Sequence, residues 1–417
     1  MVDLLNIYLQ DNDMSMNQFH KLSGIAETSV RNLNKKPLYK WTVAQIDALA
    51  NSVNKPREVV LKELELVNKD IKKDDILLGK LNLENRRYIG SKQKLLSWIN
   101  RLIDENTKGN SFFDVFAGTG VVTKNFISNY DSFILNDFLY SNNVIYNAFF
   151  GTELFDRGNL IDIKNEYQKI KKRYFDDDYF VRNYGKKFFS EKDACIIGEI
   201  RERIELNERL NKREHDILVA SLIYSADKIA NTVGHYDAYF KNADLVDKFH
   251  FELINPLNMQ GKKVLITRED SNKLVKKVKA DIAFIDPPYN SRQYSRFYHV
   301  LEGIAKWDKP ELVGVAMKPP TENMSDYSKV GAPQAFDDLI VNLNVNYIVV
   351  TYNNTYSSKS SSSKNKITHE EILCSLNKVG TTKIFEKGFK YFNAGKTSFS
   401  DHKEFVFITE VRHDKWD

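Results

Sequence analysis

Residues 286–290 read Asp-Pro-Pro-Tyr-Asn and follow the apolar run Ile282-Ala283-Phe284-Ile285. Pro287 and Pro288 fix φ and lack N–H donors, so a strand over that run must end there. The segment therefore holds an acid, Asp286, backbone carbonyls and the ring of Tyr289 in a stiff arrangement. That set suits a flat exocyclic amine. The acid and a carbonyl accept its hydrogens, and the ring stacks on the attached base. A rigid turn is the plain alternative. Three weaker signals lie upstream. Phe113-Asp114-Val115-Phe116-Ala117-Gly118-Thr119-Gly120 is a strand running into a small-residue turn, where glycines let the backbone approach a ligand. It lacks the third glycine of a dinucleotide fingerprint, and no Gly-Lys-Ser/Thr follows. Asn136-Asp137 ends the next apolar run, where an acid suits ribose hydroxyls. Glu269-Asp270 ends a third, and Asp270 suits either an adenine amine or a helix N-cap.

These motifs need strands to carry them. Apolar runs stand at 112–116, 132–136, 263–267, 281–285, 346–352 and 404–409, with helical patterns between them. Continuous apolar strands alternating with helices predict an α/β fold with a parallel sheet covered on both faces. Ligands of such sheets bind at the carboxyl ends of the strands. The rhythm breaks over 139–257, which is too long for a loop and mostly helical around 191–230. It reads as a separate, mainly helical subdomain, leaving 86–138 and 258–417 as the catalytic domain. Residues 71–85 are polar and mixed in charge and read as a linker.

Residues 1–70 read as helices only, with apolar positions at helical spacing: Leu4, Leu5, Phe19, Leu22, Val30, Leu33, Val43, Ile46, Leu49, Val59, Val60 and Leu64. Gly24 stands where one short helix should stop and another start, which describes a helix-turn-helix. Thr28, Ser29, Arg31 and Asn32 would face outward, types able to bond phosphates or base edges. A small bundle used for packing or dimerisation is the other reading. Charge does not choose between them, since residues 1–75 hold 11 basic and 11 acidic residues.

The 417 residues carry 61 Lys and Arg against 56 Asp and Glu, a net charge of +5 that permits a nucleic-acid partner without requiring one. Two cysteines, Cys195 and Cys374, exclude a disulfide scaffold and a multi-cysteine zinc site, and both are expected in a core in a reducing, cytoplasmic setting. No run of about 18 apolar residues predicts a membrane span. No His/Cys cluster has metal-ligand spacing, so no metal is expected.

The order of motifs resembles the amino-methyltransferases that use S-adenosyl-L-methionine, in particular Dam-like alpha-group DNA adenine-N6 methyltransferases. Tyr88-Ile89-Gly90-Ser91-Lys92-Gln93-Lys94-Leu95 is similar to their motif X, Phe113 to Gly120 to motif I, Asn136-Asp137 to motif II, Glu269-Asp270 to motif III and Asp286 to Tyr289 to motif IV. The run from Asp286 through Tyr294 to Glu302 is similar to the FokI-type modification methylases. The resemblance covers about residues 86–410 and implies a Rossmann-like sheet with a target-recognition insert at 139–257. It implies that Tyr88 and Lys92 lie near the methionine part of the cofactor, and that Asp114, Phe116, Gly118 and Gly120 line its loop. It places Asp137 at the ribose and Asp270 at the adenine amine, a role that Glu269 could also fill. Asp286 and the Pro287 carbonyl would accept from the target amine, within Asp286-Pro287-Pro288-Tyr289, and Tyr289 would stack on a flipped adenine of double-stranded DNA. His299 and Glu302 read as structural or as direct participants, and Arg292 and Arg296 as phosphate contacts.

Residues 1–70 resemble the Cro-like helix-turn-helix family, which would bind either an operator or the substrate DNA. A cognate restriction endonuclease is an implied partner; whether the chain is a monomer or a dimer is left open. Cytosine-N4 or RNA methylation, or a transcription regulator with an inactive catalytic half, are the competing functions. The positive charge gathers at 86–101, with five basic and no acidic residues, and at 357–396, with eight basic and three acidic. The insert over 140–260 holds 18 basic and 20 acidic residues. Lys359, Lys364 and Lys366 are therefore expected to grip the DNA backbone, leaving base reading to polar and aromatic groups of the insert.

Overall fold

The computed structural model describes residues 4–12, 14–34, 36, 38–74, 78–90, 92–171, 175, 178–289, 291, 293–354, 366–388 and 403–412. The chain divides into two compact units, residues 1–77 and 78–417. The described part of the first is helical: α1 (Leu4–Gln10), α2 (Met16–Ser23), α3 (Glu27–Asn34), α4 (Val43–Ser52) and α5 (Arg57–Asp74). Ser15 and Thr42 cap α2 and α4, each exchanging bonds with a Gln three residues on. Gly24 closes α2 at φ 67°, a left-handed turn that lets α3 begin at Glu27. Leu5, Tyr8, Phe19, Val30, Leu33 and Leu64 are in its core. Leu22, Val43 and Val59, expected at apolar positions, face outward instead.

The second unit is built on one sheet of β1 (Ser111–Asp114), β2 (Ser132–Asn136), β3 (Lys263–Thr267), β4 (Ile282–Ile285), β5 (Tyr347–Asn353), β6 (Gly380–Gly388) and β7 (Lys403–Val411). Its order is β3-β2-β1-β4-β5-β7-β6. The first five strands are parallel, and β7 runs antiparallel between β5 and β6. The sheet is therefore mixed, not wholly parallel. β6 was not anticipated, because Thr-Thr-Lys-Ile-Phe-Glu-Lys is the polar pattern of an exposed edge, with no continuous apolar run.

Side chains alternate between two cores, as the pleat requires. Phe112, Ile282 and Phe284 enter one, and Phe113, Ala283 and Ile285 the other. Helices α6 (Leu96–Asn106), α7 (Val121–Asn125), α8 (Tyr140–Phe150), α9 (Arg157–Tyr167), α10 (Tyr179–Tyr184), α11 (Glu191–Glu205) and α12 (Lys212–Ile229) precede β3. Helices α13 (Ser271–Leu274), α14 (Tyr294–Phe297), α15 (His299–Lys306), α16 (Ala332–Asn342) and α17 (His369–Val379) follow it. Phe336 and Leu339 of α16 and Ile372 and Leu376 of α17 cover the second core.

The stretch 139–257 is mainly helical, but it does not close a core of its own. Ile145 and Phe149 of α8, Ile200 of α11 and Leu222 of α12 belong to the same cluster as Phe112 and Phe284. Residues 78–85, inside the stretch read as linker, also pack here. Leu78, Leu81 and Leu83 are buried, Leu81 N donates to Leu253 O at 3.2 Å, and Asn255 N donates to Leu81 O at 2.8 Å. The core expectation for cysteine is corrected as well. Cys374 is exposed on the outer face of α17 and Cys195 is half-buried, because Ile372, Ser375, Leu376 and Val379 take the inner face of that helix.

Candidate active site

Parallel strands deliver their last residues to one edge of the sheet, and the motif residues meet there. Asp114 ends β1, Asn136 ends β2, and Asp286 follows β4. Asn136 ties these strand ends together. Its amide donates to Val115 O at 3.3 Å and Glu269 O at 3.1 Å, and its oxygen accepts from Thr267 Oγ1 at 2.9 Å and Glu269 N at 3.0 Å.

The glycine turn lies beside this bolt. Gly118 and Gly120 have φ 54° and 75°, which other residues reach only with strain. A Cβ on Gly120 would stand 3.1 Å from the Phe150 ring, and one on Gly118 would stand 3.4 Å from Tyr88. Asp137 accepts from Gly118 N at 3.0 Å and Leu139 N at 2.9 Å, and Tyr146 OH donates to Gly118 O at 2.7 Å. Burial lifts the Asp137 carboxyl above its usual range despite these donors. Asp114 is buried and accepts from Thr123 Oγ1 at 2.8 Å through one oxygen. Its other oxygen, Oδ1, has no hydrogen-bond partner among the described residues. Burial pushes its carboxyl up to about 7. An orphaned buried acceptor next to a turn that excludes side chains fits a ligand carrying a protonated amine, as S-adenosylmethionine does.

Lys92 is held by Asp286, Tyr289 and Glu404. Its ammonium lies 2.8 and 2.7 Å from the two Asp286 oxygens, 2.7 Å from Tyr289 OH and 3.5 Å from Glu404 Oε1. Asp286 Oδ1 also accepts from Thr351 Oγ1 at 2.9 Å and from Tyr289 OH. Burial works against the charge on Lys92, but the Asp286 and Glu404 carboxylates outweigh it and leave its pKa raised. Burial pushes the Tyr289 phenol well above its ordinary value. The Tyr289 ring packs edge-on against Tyr352, with centroids 4.6 Å apart. Pro287 is buried.

The other expected residues are placed as follows. Tyr88 stacks on Tyr298 at 4.8 Å and on Tyr294 at 5.3 Å, with the Arg86 guanidinium 5.0 Å from its ring. Phe116 meets Tyr327 edge-on at 4.9 Å. Asp270 is the N-cap of α13 and accepts from Lys273 N at 3.1 Å, while Glu269 pairs with Lys277. Arg296 donates to Pro319 O at 2.7 Å. His299 is buried between Arg296 O and Ala316 O, and burial pulls its pKa down to about 4. Glu302 accepts from Tyr140 N and Ser141 N at the start of α8. Both act as braces in this structure. Thr28, Ser29, Arg31 and Asn32 are exposed on α3, where Arg31 pairs with Glu27 at 2.7 Å. Arg292, Lys359 and Lys364 lie outside the described residues.

Sequence reasoning missed Glu404 and Thr351. Motifs of this kind mark the ends of strands, whereas Glu404 lies at the start of one. Because β7 is antiparallel, its first residues return to the carboxyl edge, with Glu404 in register with Asn353.

The pattern of the D12 class N6 adenine-specific DNA methyltransferases matches residues 88–355, which hold the motifs up to β5. Similar proteins include modification methylase LlaI of Lactococcus lactis subsp. lactis, 35% identical across 64% of this chain and 46% of its own length. Type II methyltransferase M.FokI of Planomicrobium okeanokoites is 32% identical across 78% of this chain and 52% of its own. Type II methyltransferase M.NlaIII of Neisseria lactamica is 29% identical across 78% of this chain and 98% of its own. The chain spans about half the length of the first two. With the motif residues gathered at one sheet edge and well over half of the sequence matched, the chain belongs to the D12 class N6 adenine-specific DNA methyltransferase family.

Proposed function

We propose that this chain transfers a methyl group from S-adenosylmethionine to the N6 amine of an adenine flipped out of a specific DNA duplex sequence. The observation that carries this reading is the meeting of Asp286, Lys92 and Tyr289 at the strand edge that also holds the Gly118–Gly120 turn. When bound, S-adenosylmethionine supplies an activated methyl group. Asp114 Oδ1 would receive its amine, the glycine turn its backbone-hugging part, and Asp137 its ribose. Phe116 and Tyr88 would bound it with their rings, and Asp270 keeps one oxygen for its adenine. On the other side, Asp286 and the Pro287 carbonyl accept the hydrogens of the target amine, which orients its lone pair and holds the proton it sheds. Tyr289 turns its ring onto the extruded base, a contact worth about 1–3 kcal/mol.

The substrate is double-stranded DNA, and the relatives' names favour a role in modification alongside a restriction endonuclease, inside the cell that holds the DNA. The exposed face of α3 is a second DNA contact, either with an operator or with the substrate itself. Incubation with labelled cofactor and DNA or RNA, followed by nucleoside analysis, tests the reading. N6-methyladenine in duplex DNA is expected, and methylated cytosine or RNA alone would refute it. Arg31→Ala with Asn32→Ala in the full chain separates the two uses of the first unit. Intact methylation with lost promoter binding marks an operator reader.

A further inference from the structure

The Oδ1 atom of Asp286 is crowded with donors, while Oδ2 holds one. One oxygen receives Thr351, Tyr289 and Lys92, and the other receives Lys92 again. A target amine that takes Oδ1 must displace one of its three donors. Two of them share a second acceptor: Glu404 Oε1 lies 3.5 Å from Lys92 Nζ and 3.3 Å from Tyr289 OH. Glu404 is 6% exposed, and its carboxylate has no other hydrogen-bond or ion-pair partner among the described residues. The Lys92–Asp286 pair would be complete without it. A second carboxylate buried against a finished pair is unfavourable for folding alone. Burial, with Asp286 nearby, accordingly raises its pKa despite Lys92.

We propose that Glu404 is a positioning residue that takes over the Lys92 ammonium and the Tyr289 hydroxyl when Asp286 turns to the target amine. The inference rests on amine methylation at Asp286. It lies outside the 88–355 match, on a strand that follows it. Without Glu404, releasing Asp286 would leave the buried ammonium and hydroxyl with each other and with the Gly90 and Thr351 carbonyls, both at 3.5 Å, and with no carboxylate to balance the charge. The role is therefore felt in the methyl-transfer step and not in binding.

Glu404→Gln keeps the shape and one acceptor oxygen but removes the charge. Under single turnover its methylation rate is expected to fall about tenfold or more, with affinities for cofactor and DNA within about twofold of wild type. Glu404→Asp should recover part of the rate. In a double-mutant cycle with Lys92→Met, adding Glu404→Gln should slow the enzyme by no more than about twofold further. A Gln variant as fast as wild type, a loss matched by lost affinity, or fully additive losses would each overturn the role. Wild-type turnover on the same duplex checks the activity separately: its absence overturns the activity, and the role of Glu404 with it.

Discussion

Lys92→Met removes the cation at the centre of the site while keeping most of the side chain's length. Lys92 is 6% exposed, and its ammonium lies 2.7 Å from Asp286 Oδ2 and 3.5 Å from Glu404 Oε1. Breaking a buried pair by deleting one partner costs about 3–5 kcal/mol, because the charge left behind is uncompensated. A second route gives a similar ceiling. Glu404 can shed its charge by holding a proton, at about 1.4 kcal/mol for each pH unit above its ordinary value of 4.5. That is roughly 5 kcal/mol near about pH 8 and below about 1 kcal/mol near about pH 5. The sign follows from burial, which already holds the folded-state pKa of Glu404 above the unfolded one. Such a group supports the fold below its unfolded pKa and weakens it as pH rises through the folded value. Loss of Lys92 raises that folded value further and steepens the decline. The variant is therefore expected to lose about 3 kcal/mol relative to wild type at about pH 8, and distinctly less at about pH 5, where Glu404 can shed its charge. Urea unfolding at both pH values measures it, with the slopes checked for equality. Equal losses at the two pH values, or a loss under about 1 kcal/mol at the higher one, would refute the idea that Lys92 balances these carboxylates.

Three further outcomes are expected. Tyr289→Phe keeps the stacking ring and should retain most affinity for flipped-base analogues, whereas Tyr289→Ala should lose about 1–3 kcal/mol in a binding titration. Asn136→Ala removes the side-chain partner of Glu269 N and Glu269 O, while Thr267 Oγ1 keeps the Leu135 carbonyl; denaturant unfolding should show a loss of about 2–3 kcal/mol. Asp114→Asn removes a carboxyl that burial raises to about 7. Because the raised pKa makes the wild type lose stability as pH climbs from about 4 to about 7, the Asn variant should have the flatter profile, by up to about 4 kcal/mol. Parallel melting curves across that range would settle it.

Much of the fold and part of the site could be read locally. The Asp286-Pro287-Pro288-Tyr289 turn announces itself because prolines end a strand wherever it lies. The runs 132–136 and 263–267 are strands in the structure as expected. β6 escaped because an edge strand needs no apolar run. His299 and Glu302 read in the sequence as structural or as direct participants, and their bonds to the Ala316 carbonyl and to α8 are those of braces. Asp270 fills the helix N-cap that was one of its two sequence readings.

The strand-turn motifs, their order and the kind of amine chemistry they suit are legible in the order of residues alone. These depend on backbone constraints and side-chain types within a few consecutive residues. Which charges meet depends on the folded sheet. It set the Lys92 ammonium against Asp286, and it brought in Glu404 by running β7 antiparallel. Strand direction and burial are properties of the whole sheet. Whether a carboxylate stays charged, takes a proton or caps a helix follows from what surrounds it.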